Sequence, residues 1–154
     1  MDTRVADQLR LRGGHLDFIG RSHIWIDDYD RADSVQFAQF AIANALAHTA
    51  PGQLEVLVFD DALRGIAAPF QEVNSGGEKI LRHINDLQEL NETIKYLHEH
   101  IRSVLNVIQG RTESLLDFRQ QLSPKVEGFK LVVLSTIYDL LSDEIRDKLT
   151  VLLK

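Results

Sequence analysis

A chain of 154 residues with a 44% hydrophobic share is one domain's worth of sequence, long enough to enclose a sizeable core. Its formal charge of −6, with Lys and Arg scattered, argues against broad charge-driven nucleic-acid binding, which needs clustered cations against phosphates. Cysteine is absent, which excludes disulfides and thiolate chemistry. No apolar run is long enough to span a bilayer and the first residues lack a signal-peptide core, so a cytoplasmic protein is expected.

Residues 1–14 read as a polar lead-in, mildly basic through Arg4, Arg10 and Arg12 and separated by Gly13-Gly14 from a single α/β domain over 15–154. Residues 15–19 alternate like a short edge strand. Ile24, Trp25 and Ile26 are β-formers and predict a strand; Asp27, Asp28, Asp30 and Asp33 crowd the turn after it. Ser34 is a good N-cap for a helix running to about 49. That helix is apolar on nearly every side through Val35, Phe37, Ala38, Phe40, Ala41, Ile42, Ala45 and Leu46, and Pro51-Gly52 stops it.

Residues 54–59 form the next strand, nearly all apolar and ending on Asp60-Asp61. Such a strand after a buried helix argues for parallel pairing with both faces covered. Residues 62–75 read as loop and 79–84 as a short strand. From 86 the apolar residues Leu87, Leu90, Ile94, Leu97, Ile101, Val104 and Ile108 alternate spacings of three and four. They predict a long helix over about 86–109, closed by Gly110 and laid on a sheet. A shorter helix over 112–121, a turn near Pro124 and a strong strand over 129–134 follow. A final amphipathic helix over 139–153 has Leu140, Leu141, Ile145, Leu149 and Leu152 on its apolar side. The uncapped apolar run at 149–154 predicts a fragment of a longer protein.

Strands alternating with helices imply an α/β fold with a mainly parallel central sheet flanked by helices. Ligands of such sheets sit outside the carboxyl ends of the strands, here Asp27-Asp28, Asp60-Asp61 and Ser135-Thr136.

This order and spacing resembles the N-terminal half of the motor domain of the FtsK/SpoIIIE and HerA group of P-loop NTPases. The group includes DNA translocases and type VII secretion ATPases. The resemblance implies a P-loop NTPase-like fold, with Asp60 at the second-strand acid and Arg102 near a mid-helix arginine. The family loop G-x-x-x-x-G-K-[ST] falls on residues 27–34, where Asp27 and Ala32 replace the glycines, Asp33 replaces the lysine, and only Ser34 agrees. A carboxylate in place of the lysine repels a polyphosphate. The strand over 131–134 ends in Ser135-Thr136 where the family carries Asp-Glu. The resemblance therefore implies a degenerate ATPase domain, a pseudo-ATPase with an assembly or regulatory role in a larger DNA-processing, translocation or secretion machine. No catalytic residue is assigned. No cofactor is expected, ATP and magnesium entering only if the loop at Ser34 still binds them. Protein partners or self-association are expected, and nucleic acid only through the parent complex.

Two other readings come from the residues. Asp27, Asp28 and Asp60, with Asp61, could form a magnesium site for phosphoryl transfer or receiver-like phosphorylation. The face of Leu87, Leu90, Ile94, Leu97 and Ile101 could bind a partner helix. His98-Glu99-His100 fails the spacing of a helical metal motif and reads as solvated polar surface.

Overall fold

The computed structural model describes residues 24, 26, 31–50, 52–75, 77–108 and 128–153. The expected strand at 15–19, Trp25, Asp27, Asp28 and the helix at 112–121 lie outside them. Of the expected strand at 24–26, Ile24 and Ile26 are 36% and 39% exposed and are not in strand conformation, and Trp25 lies outside the described residues. A three-residue apolar run is too short to hold a register by itself.

Helix α1 (Arg31–His48) starts earlier than its apolar pattern indicates. Ser34 therefore sits inside the first turn and is not the N-cap; Asp33, also in that turn, places its charge where the helix dipole favours an anion. Nor is α1 buried all round. Ala38, Ala41, Ile42 and Ala45 are buried, whereas Phe40 is 39% exposed, so alanines form the face that lies against the sheet.

The sheet has three parallel strands in the order β4-β1-β5, with β1 Leu54–Asp60, β4 Leu81–Ile84 and β5 Phe129–Ser135. A two-residue hairpin, β2 (Asn74–Ser75) with β3 (Glu78–Lys79), and a 3₁₀ turn (Ala68–Phe70) lie between β1 and β4. Helix α2 (Leu87–Ile108) follows β4, and α3 (Asp143–Leu152) follows β5. The fold is thus α/β with a parallel sheet flanked by helices, the arrangement of the Rossmann-like class.

Alternation along β1 divides the core in two. Val56 and Val58 face α1, together with Ile66, Ala67, Phe70 and Leu81. Leu57 and Phe59 face α2 and α3, meeting Ile84, Leu90, Ile94, Leu97, Leu141, Ile145 and Leu149. The β1-to-β4 connection packs on the α1 face, and α2 packs on the other.

The last helix starts later than its apolar pattern indicates. Residues Tyr138–Leu140 form a 3₁₀ turn, and Ser142 caps α3 by accepting from the Ile145 amide. Leu140, expected on the apolar side, is consequently 74% exposed, while Leu141 is buried.

Because Ile94 is 1% exposed in the core and Leu105 is 59% exposed on the same helix, their alanine variants should separate sharply. Urea unfolding should show Ile94→Ala losing about 2–5 kcal/mol and Leu105→Ala losing about 0.5 kcal/mol or less.

Candidate functional site at the carboxyl edge of the sheet

Asp60 ends the central strand and is 2% exposed. Its Oδ2 accepts from the amides of Gly65 (2.9 Å) and Ile66 (3.4 Å), and its carbonyl accepts from Leu63 N at 3.1 Å. These bonds wind 60–66 into a tight loop that needs two left-handed residues, Leu63 at φ 51° and Gly65 at φ 81°. Glycine takes this conformation freely, whereas leucine costs about 1–2 kcal/mol there, and Leu63 is nonetheless 81% exposed. The second oxygen of Asp60, Oδ1, is buried and accepts no hydrogen bond among the described residues.

The neighbouring strand ends are tied to this loop. Asp60 is in register with Ser135, and one residue on, Thr136 Oγ1 donates to Asp61 Oδ2 at 2.6 Å. On the other side, β4 runs into the start of α2. There Asp86 Oδ1 accepts from Glu89 N (2.8 Å), and Glu89 Oε2 reaches back to Asn85 N (2.9 Å), a variant of the capping box. Both α2 and α3 start at this edge, and each carries acids in its first turn, Glu89 in α2 and Asp143 and Glu144 in α3. Their partial positive ends face carboxylates of the chain itself.

Of the proposed magnesium ligands, Asp60 is thus committed to its own loop, and Asp27 and Asp28 lie outside the described residues. Among the described residues no three His, Cys, Asp or Glu side chains are grouped to hold a metal ion. Of the proposed interaction face, Leu90, Ile94 and Leu97 are core, while Leu87 (47%) and Ile101 (41%) are exposed at its two ends. Arg102 is exposed. His98 donates through Nε2 to the Lys148 carbonyl at 3.3 Å, and His100 stacks on Tyr96, so the two rings have separate structural contacts. A shallow depression of about 170 Å³ beside Leu46, Gly52, Leu54 and Val73 lies at the opposite end of β1 and is smaller than most ligand pockets.

A second polar group, missed in the sequence, lies on the amino half of the sheet. Lys130 Nζ donates to Glu55 Oε2 (2.7 Å), its partner in register across β1 and β5, and Tyr96 Oη donates to the same oxygen (3.2 Å). The Arg82 guanidinium and Lys130 ammonium lie over the Tyr96 ring at 5.8 and 5.4 Å, and Arg82 donates to buried Thr93. The available signal was that both apolar strands carry an opposite charge at the second position. Burial alone lowers the Lys130 pKa, but the hydrogen bonds to Glu55 and Tyr96 and the Glu55 charge outweigh it and raise the value above 10.5.

Comparison with known family models, curated proteins and solved structures returns no significant match. No helix of the described residues is long and apolar enough to cross a membrane.

Removing the Asp60 carboxylate strands two loop amides, so Asp60→Ala should cost about 1–3 kcal/mol and speed amide exchange at Gly65 and Ile66; unchanged exchange would refute this role. Thr136→Ala, at a partly exposed bond, should cost about 1 kcal/mol or less. Because the folded pKa of Lys130 is raised, its contribution is complete below 10.5 and is lost as pH rises through the folded value. Glu55→Gln should lower stability at neutral pH by on the order of 1 kcal/mol and flatten that alkaline decline, as measured by urea melts across this range.

Proposed function

We propose that this chain is a non-hydrolysing α/β domain that acts by association. In this reading it is a degenerate relative of the FtsK/SpoIIIE and HerA group of P-loop NTPases, serving assembly or regulation in a larger DNA-processing, translocation or secretion machine. The observation that carries the non-hydrolysing half is that acids and caps at the carboxyl edge are engaged by the chain's own amides. Asp60 is spent on Gly65 and Ile66, Asp86 caps α2, and Ser142 caps α3. A bound phosphate would have to displace these acceptors and face their charge. Asp33, at the position of the family lysine, is exposed in the first turn of α1 and supplies a negative charge to that helix end.

Thermal unfolding with magnesium and with magnesium plus ATP tests the reading. A ligand at about 100 times its Kd stabilises the folded state by about 2.7 kcal/mol, several degrees in Tm for a chain of this size. No shift with ATP is expected, and Ser34→Ala should give the same melting profile. A shift with ATP would return the domain to the nucleotide-binding class, and a shift with magnesium alone would favour the carboxylate site around Asp60.

A further inference from the structure

The carboxyl edge that offers little to a phosphate is rimmed by solvent-facing apolar side chains. Leu63 is 81% exposed, Leu140 74%, Ile137 59%, Leu87 47% and Leu134 37%. All five lie at or just beyond the ends of the three parallel strands: Leu63 after β1, Leu87 after β4, and Leu134, Ile137 and Leu140 at the end of β5 and after it. Phe59 pairs with Ile84 and Asp60 with Ser135, so these segments leave the sheet side by side, and the Thr136–Asp61 bond joins two of them. Isolated exposed leucines are ordinary; a set gathered at one end of a sheet marks an interaction surface. Leu63 stands out further, because a left-handed backbone holds an apolar side chain in solvent where glycine would fit more easily.

The charge around the rim selects the partner. Among the described residues, Asp61, Asp86, Glu89 and Asp139 stand on these segments beside the Arg64 guanidinium, while Asp143 and Glu144 pair with Arg146 and Lys148 on their own helix. An acidic protein, an anionic membrane or a nucleic acid would be repelled. Resting on the association reading above, we propose that this rim docks a protein segment that presents apolar side chains flanked by lysine or arginine.

The test titrates the ¹⁵N-labelled full chain with a synthetic amphipathic helical peptide of leucine and lysine alone, and with its leucine–glutamate counterpart. The lysine peptide should perturb the amides of Leu63, Leu87, Ile137 and Leu140, bind more weakly as salt rises, and lose about tenfold or more in affinity to the Leu63→Gly/Leu140→Ser variant. Leu63→Gly relieves backbone strain and Leu140 is exposed, so this variant should remain folded; Leu105→Ser, at the far end of α2, should bind like the wild type. Perturbation centred elsewhere, equal binding of the glutamate peptide, or undiminished binding by the double variant would each overturn the proposal. So would sedimentation showing that the free chain dimerises through this rim. An ATP-induced melting shift with peptide docking intact would sink only the non-hydrolysing reading; failed docking without an ATP shift would sink only this one.

Discussion

Val56, Leu57, Val58 and Phe59 are each at most 1% exposed, so the central strand has no face turned to water. Every large feature of the fold answers that constraint. A strand buried on both sides requires cover on both, and α1 with the 66–70 segment supplies one layer while α2 and α3 supply the other. Its backbone polar groups must be satisfied without solvent, which the parallel ladders to β4 and β5 accomplish. The strand also carries its burial to its last residue. Asp60 is enclosed with the rest, and a carboxylate in that position must find donors nearby. The amides of Gly65 and Ile66 are those donors, so the shape of the loop follows from the charge at the end of the strand.

The same carboxyl edge is where a parallel α/β sheet ordinarily meets its ligand. Here the chemistry runs inward. Acids occupy the helix starts, Asp60 bonds to its own loop and Asp61 to Thr136 past the neighbouring strand, and leucines and isoleucines take the outward positions. A surface of this kind has little to offer an anion and a good deal to offer an apolar, positively charged protein surface. In the proposed reading, association and the absence of hydrolysis are two consequences of one arrangement of side chains.

At the amino half of the sheet, Glu55 and Lys130 show how a charged pair is accommodated in an otherwise apolar ladder. Register places them side by side, Tyr96 of α2 donates to the carboxylate while its ring faces both Arg82 and Lys130, and no charge is left alone against the core. The pair also pins the register, because a one-residue slip of either strand would turn its own charge toward the α1 face and leave the other charge without its partner.

The sequence by itself determined the elements whose periodicity is long and unbroken. The three-and-four spacing from Leu87 to Ile108 and the apolar runs at 54–59 and 129–134 have one low-energy solution each, and the parallel, doubly covered sheet follows from them. Short signals were overridden by their surroundings. Ile24 and Ile26 read as strand but are not in strand conformation, Ser34 reads as a cap but lies within the helix, and Leu140 reads as core but stands in solvent because Ser142 starts α3 after it. Of the candidate site, Asp60 and Asp61 were legible as strand-end acids. Their partners at Gly65, Ile66 and Thr136 were not, since those contacts depend on loop path and strand order, which no local pattern encodes. The exposure of Leu63, Ile137 and Leu140 was decided by tertiary structure alone, because an apolar side chain reads the same in sequence whether packing covers it or leaves it at an edge.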